Sequence, residues 1–347
     1  MHVPDGFINA PVSAVTGVVA AGAIAVSLRG ARRELDEKTA PLAGLVAAFI
    51  FAVQMLNFPV AAGTSGHLLG GALAAILVGP FTGVLCVSVV LLMQGILFAD
   101  GGLTALGVNI TDMAIVTTVV SYAVFRGLVK VLPRKKRSIT VAAFVSALLS
   151  VPAAAVAFTL IYALGGTTDV PITKVATAMI GVHVLIGIGE ATITALTVGA
   201  VIAVRPDLVY GARGLQQRLK LRVGGDLVDA PSPAAVPVAA RTSRRKVWAV
   251  GLVTSLVLAG FVSFYASASP DGLEKVAKDQ GIDQNTKKHH TEDSPLAGYG
   301  VKDISDARIS GGLAGVIGVG VTVVAGTGIF WAVRRRRTAD VSPSQVA

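Results

Sequence analysis

The residues best placed to do chemistry stand at the start of the 347-residue chain, MHVPDGF, where His2 is one of only five histidines. A free α-amine, the amide nitrogen of residue 2 and the imidazole of His2 can close two fused chelate rings on one metal ion. Such a chelate is nearly planar and leaves a fourth in-plane position for a nitrogen from elsewhere in the fold. Nickel(II) and copper(II) favour that square-planar nitrogen field and cobalt(II) can adopt it, whereas zinc prefers a tetrahedral site. The chelate needs an unblocked amine at Met1. No Lys or Arg occurs before Arg29, so the basic n-region of a secretory signal is missing, and His2 is too large to favour removal of the initiator methionine. Val3-Pro4-Asp5-Gly6-Phe7 sets a turn-forming Pro-Asp-Gly between apolar neighbours, a composition suited to a terminus folded back into the protein. His67, in GTSGHLLGG, is a candidate fourth ligand, because Gly63, Thr64, Ser65 and Gly66 let another backbone approach closely. His183 reads either as a packed, hydrogen-bonded bundle residue or as part of a polar path. His289 and His290 read as polar loop residues. The single cysteine, Cys86, excludes an intramolecular disulfide and a Cys-based zinc cage, and reads as a small buried hydrophobe.

What must position these groups is a membrane bundle. Hydrophobic residues make up 53% of the chain and charged residues 14%, against roughly a quarter charged in a soluble domain. Apolar segments long enough to cross a bilayer are expected at about 9–28, 41–58, 67–79, 81–98, 107–125, 138–163, 175–204, 247–267 and 309–333. No charge occurs between Lys38 and Asp100, so the boundaries over 58–81 rest on glycines and on Gly79-Pro80 alone. Nine crossings with the N-terminus outside and the C-terminus cytoplasmic place 23 of the 30 Lys and Arg, but only 7 of the 20 acidic residues, in four inner segments. RKKR (134–137) and RRRR (334–337) then serve as inner-face anchors, and nucleic acid is not a partner. Asp226 to Ala240 is rich in Pro and Ala without helical periodicity, which reads as a linker. The expected fold is an all-α, polytopic membrane bundle of about seven spans plus a C-terminal two-span unit with an extracellular loop. Its modules are 1–222, which carries the metal site, a cytoplasmic linker over 223–245, and a second module over 246–347.

At these residues the sequence resembles the metal-specificity component of cobalt/nickel energy-coupling-factor transporters, the CbiM/NikM family. MHVPDGF, residues 51–80 (FAVQMLNFPVAAGTSGHLLGGALAAILVGP) and DGGLTALGVNITDM (100–113) look like its signatures. The resemblance implies four nitrogen ligands: the amine of Met1, the amide and imidazole of His2, and the imidazole of His67. Asn57, Ser65, Gln94, Asp100 and Asn109, polar residues in the same signatures, are implied as a supporting layer that orients His67 and the N-terminal loop. SPDGLE and SPLAGYGV in the last third look like the PDGLE-type accessory subunit of the same systems. That likeness implies that residues 270–308 lie over the metal site and assist loading.

The resemblance further implies a prokaryotic plasma-membrane importer of cobalt(II) or nickel(II) as transported ligand, with no cofactor. Its partners would be a transmembrane coupling protein and two ATPase subunits, because the chain contains no GxxxxGK[ST] loop of its own. Ser13, Gly17, Ala21 and Ala25 form a small-residue stripe suited either to that coupling protein or to packing within the chain. Asp112 and Glu190 fall inside spans, where an ionised group is costly unless paired, and His183 and Glu190 share a helical face as a candidate ion path. A self-contained ion channel or carrier, and an intramembrane hydrolase built on Ser65 near His67, are the competing readings.

Overall fold

Asn9 starts the first helix: its side chain accepts from the Val12 N–H at 3.0 Å and Pro11 follows within the first turn, giving α1 (Ala10–Glu34). The computed structural model describes residues 1–35, 39–61, 63–215, 220–223, 226–229 and 243–339. After α1 come α2 (Ala40–Gln54), a hairpin of β1 (Phe58–Ala61) and β2 (Thr64–Gly66), α3 (Gly71–Val78) and α4 (Pro80–Leu97). The next crossing joins α5 (Leu106–Asn109), a π-helical turn over Ile110–Val116 and α6 (Thr117–Val131) into one continuous rod. Then follow α7 (Lys136–Gly165), α8 (Ile172–Val204), α9 (Arg244–Gly260), the short α10 (Gly272–Gln280) and α11 (Ala307–Ala339). Lys220–Val223 and Asp226–Asp229 pair as an antiparallel hairpin, β3 and β4. Most of the linker expected over 223–245 lies outside the described residues.

Seven helices among the described residues are long and apolar enough to span a bilayer, so two of the nine expected crossings need another explanation. The 15 residues of α2 are apolar on every side, as a helix enclosed by others must be, and α11, α9 and α4 pack around it. The segment expected over 67–79 is not a helix throughout. Residues Leu68–Gly70 lie outside any helix, Gly70 turning left-handed at φ +91°, and only α3, eight residues or about 12 Å long, is helical. All eight residues of α3 are buried, so lipid never meets this irregular backbone. Side chains take over the hydrogen bonds that a longer helix would have made. Glu190 of α8 accepts from the Leu69 N–H (2.5 Å) and the Gly70 N–H (3.0 Å), and Gln54 Nε2 donates to the Leu69 carbonyl at 3.0 Å. Beyond the break at Gly79, Glu34 accepts from the N–H groups of Phe81 and Thr82 and from the Thr82 hydroxyl, capping α4. Two buried carboxylates thus brace the two ends of α3.

The small-residue stripe of α1 is divided. Gly17 lies against Gly107 of α5, while Ala21 and Ala25 are exposed. Val15, Val18, Val19 and Val26 are also at least half exposed, the apolar surface expected of a lipid-facing helix. Cys86 is buried, with its thiol near the Ala43 carbonyl.

Because both Glu190 oxygens accept from the backbone of the non-helical segment, Glu190→Gln turns one acceptor into a donor facing a backbone N–H. The purified protein in detergent should lose about 2 kcal/mol of stability. An unchanged unfolding midpoint would show that the Leu69–Gly70 backbone does not depend on this carboxylate.

Candidate metal centre

The β1–β2 hairpin delivers His67 immediately after its last residue, at the head of the non-helical segment. His67 Nδ1 lies 3.0 Å from the Leu68 carbonyl, which fixes the proton there and leaves Nε2 as the free lone pair. That Nε2 is 2.6 Å from the nitrogen of Met1. Neighbouring nitrogens in a planar site with bonds of about 2 Å stand roughly 2.9 Å apart, so the two atoms already have the spacing of adjacent ligands. The imidazole of His2 stacks on that of His67, with centroids 5.1 Å apart and planes inclined by 25°.

His2 is oriented by Gln94 of α4, whose Oε1 accepts from Nε2 at 3.1 Å and so leaves Nδ1 as the lone-pair nitrogen. Nδ1 is the nitrogen that can close a chelate ring with the residue's own amide. Gln94 donates in turn to the Tyr299 hydroxyl (3.0 Å), and Tyr299 donates to Asp100 Oδ2 (2.6 Å). Asp100 Oδ1 stands 3.4 Å from His2 Nδ1, so this carboxylate lies beside the nitrogen that would bind an ion. The backbone just beyond is clamped: Val3 N–H donates to Asn109 Oδ1 at 2.7 Å, and the Val3 carbonyl accepts from Gly102 N–H and Asn109 Nδ2. Asp5 continues the clamp by accepting from the N–H and hydroxyl of Thr104. Gly101 has φ +80°, and a Cβ there would come 2.9 Å from Asn109 Nδ2, so the turn facing His2 calls for glycine on both counts.

The second module closes over this pocket. Ser65 of β2 donates its N–H to the Pro270 carbonyl at 2.8 Å and its hydroxyl to the Ser269 carbonyl at 2.7 Å, while the Asn57 carbonyl accepts from Ser267 N–H. Ser65 and Asn57, expected to orient His67 and the N-terminal loop, meet the second module through these bonds. Further along, Lys287 N–H donates to the Asp5 carbonyl and Gly298 N–H to the Phe98 carbonyl, and Tyr299 stacks on Phe98 at 4.9 Å. Asp271, the N-cap of α10, turns its Oδ2 to the Met1 nitrogen at 2.7 Å and lies 3.5 Å from His67 Nε2. Gly272 presses on α8, where a Cβ would come 3.2 Å from His183 Cε1. Cavities of about 710 and 490 Å³ flank the centre, and His2, Asp100 and Asp271 line both.

The remaining sequence candidates lie apart. His183 is buried, its Nδ1 bonded to the Met179 carbonyl at 2.7 Å, and its Nε2 has no partner among the described residues. Both Glu190 oxygens are engaged by the Leu69 and Gly70 backbone, so the expected ion path shows no His183–Glu190 bond among the described residues. His289 bonds to the Gly101 carbonyl, and His290 is exposed beside Asp5. Ser65 has no catalytic partner in its contacts with Ser269 and Pro270.

Burial pushes the His2 imidazole down to about 4, with Asp100 opposing and the Met1 ammonium assisting. Burial acts on Asp271 in the opposite sense, but the Met1 ammonium and His67 outweigh it and hold this carboxyl well below its usual range. Burial, then Asp100, pushes the Tyr299 phenol well above its ordinary value. The centre therefore presents a neutral imidazole beside an ionised carboxylate, a donor set suited to a divalent transition ion.

A multi-pass helical bundle with such a pocket at one end defines a membrane component that handles transition-metal ions. Residues 2–208 match the family described as cobalt uptake substrate-specific transmembrane region, and residues 245–335 match the PDGLE domain. The chain belongs to that cobalt-uptake family, with a PDGLE domain fused behind it. The cobalt transport protein CbiM of Geobacter sulfurreducens is 30% identical over 308 residues, covering 85% of this chain and 83% of that one. The fused nickel transport protein NikMN of Rhodobacter capsulatus is 43% identical over 125 residues, 36% of each chain. The crystal structure of a truncated transition metal transporter is similar with a TM-score of 0.51 and 29% identity, over 58% of this chain and 99% of that one.

Sequence reasoning did not single out Asp271 or Tyr299 as site residues. Both lie inside quoted motifs, SPDGLE and SPLAGYGV, and that placement was the available signal.

For His2 the folded value of about 4 lies below the free value of 6.5, so between these pH values the unfolded chain binds the proton more tightly. Stability of the metal-free protein should fall as pH drops from about 6.5 towards 4, and His2→Asn should flatten that slope. Asp271, held low, acts only below this window. Identical pH slopes between 4 and 6.5 in the parent protein and in His2→Asn would contradict the burial of a neutral His2.

Proposed function

We propose that the chain is the ion-binding membrane subunit of an energy-coupled importer of nickel(II) or cobalt(II). The ion is held by the amine of Met1, the amide and imidazole nitrogens of His2 and the imidazole of His67. The observation that carries this reading is the 2.6 Å approach of the Met1 nitrogen to His67 Nε2, with His2 stacked alongside and its Nε2 engaged by Gln94. Gln94, Asp100 and Asn109 hold the loop that presents these atoms.

The centre faces the outside and the C-terminus the cytoplasm. Support comes from the basic residues gathered at the other end of the bundle: Arg32 and Arg33 close α1, Lys130 closes α6 and Lys136 opens α7. Residues 267–304 form a lid through which the ion is loaded, supported by their hydrogen bonds to Asn57, Ser65, Asp5 and Phe98. Inward delivery draws on a transmembrane coupling protein and two ATPase subunits, supported by the family membership and by the lack of any GxxxxGK[ST] sequence in the chain.

Inserting one alanine between Met1 and His2 separates the amine from the imidazole while leaving every helix intact. Protein purified after growth with nickel or cobalt should carry about one ion per chain, and the insertion variant less than a tenth of that by elemental analysis. Equal metal content in the two would end the four-nitrogen assignment.

A further inference from the structure

Asp271 lies 270 residues from Met1 in sequence and 2.7 Å from its nitrogen in space. Its Oδ2 is 3.5 Å from His67 Nε2, which is itself 2.6 Å from that nitrogen. Ligand atoms of His2, His67 and Asp271 all lie within 4.8 Å of one another. Donor atoms around one first-row ion with bonds of about 2 Å stand roughly 2.9 Å from their neighbours and further apart at wider angles, so these separations suit a shared ion.

The carboxylate is held in place from several sides. Oδ1 accepts from the Glu274 N–H at 2.8 Å as the cap of α10, which leaves Oδ2 for the pocket. Pro270, one residue earlier, is tied to Ser65, two residues before His67. Leu273 is buried, and Gly272 sits against α8. Both sides of the ligand set therefore rest on one framework.

Charge leads to the same place. Two neutral imidazoles, an amine and an ionised amide bring one negative charge to a dication and leave a net positive complex. Met1 is 2% exposed and His67 5%, so that charge would be poorly hydrated. A carboxylate cancels it.

We infer that Asp271 Oδ2 is a direct ligand of the ion, completing a four-nitrogen, one-oxygen set in which the fused accessory module supplies the oxygen. This inference rests on the four-nitrogen reading above. On binding, the Met1 ammonium releases one proton and the His2 amide another, while Asp271 releases none. One dication replaces two protons, and the five-donor set is neutral before and after, with Asp100 beside it as a further counter-charge.

The test uses the purified full chain loaded with nickel(II), read by nickel-edge X-ray absorption and magnetic susceptibility. The parent protein should be five-coordinate and paramagnetic. Asp271→Asn keeps a side chain that caps α10 equally well but removes the charge. It should give four-coordinate, planar, diamagnetic nickel with at least tenfold weaker binding, and Asp271→Glu should return the fifth ligand. A parent protein that is already planar and diamagnetic, with Asp271→Asn indistinguishable from it, overturns the inference and leaves the four nitrogens standing. Nickel held only by oxygen in the parent overturns the four-nitrogen reading and this inference with it.

Discussion

The structure turns on one contact, the nitrogen of Met1 held 2.6 Å from the free lone pair of His67. A chain terminus ordinarily trails in water; here Met1 is 2% exposed and Val3 fully buried. Keeping it there takes hydrogen bonds from Asn109, Gly102 and Thr104, and a carboxylate from the far end of the sequence to balance the ammonium. The two modules consequently share a single centre. The first supplies the nitrogens, and the second covers them with Asp271 and Tyr299.

A histidine with that orientation could not come from the middle of a regular helix. Breaking the third apolar segment into a non-helical stretch and a short helix lets His67 enter at the bundle's end, directly behind a hairpin that docks the lid. The break exposes backbone groups that water cannot reach, and the protein answers with Glu190, Gln54 and Glu34. Glu190, which shares a helical face with His183 in the sequence, thus holds the backbone that precedes α3. The metal centre and the irregular crossing are two sides of one structural choice.

Much of this was legible beforehand, for identifiable reasons. Composition and charge bias disclose a membrane bundle because lipid leaves no other arrangement for such a chain. The His2 chelate is local, written in two consecutive residues, and the MHVPDGF and GTSGHLLGG stretches announce unusual backbone. The broken third crossing was not legible. Leu68–Val78 is uniformly apolar, and only the distant Glu190 decides where its helix begins. Ser65 and Asn57 read as supports of His67 and the N-terminal loop because they are polar residues of the same signatures, whereas their bonds to Ser269, Pro270 and Ser267 reach about two hundred residues along the chain. Asp271 escaped for the same reason: spacing says nothing about a contact that depends on how two modules dock.

The central claim is that the first nitrogen of the chain touches the ion. Pulsed electron paramagnetic resonance on the copper(II)-loaded protein, prepared with ordinary methionine and with nitrogen-15 methionine, reads that bond directly. One strongly coupled nitrogen should change from the nitrogen-14 to the nitrogen-15 pattern, since the other methionines, Met55, Met93, Met113 and Met179, lie outside the ligand set. An unchanged spectrum would contradict the account.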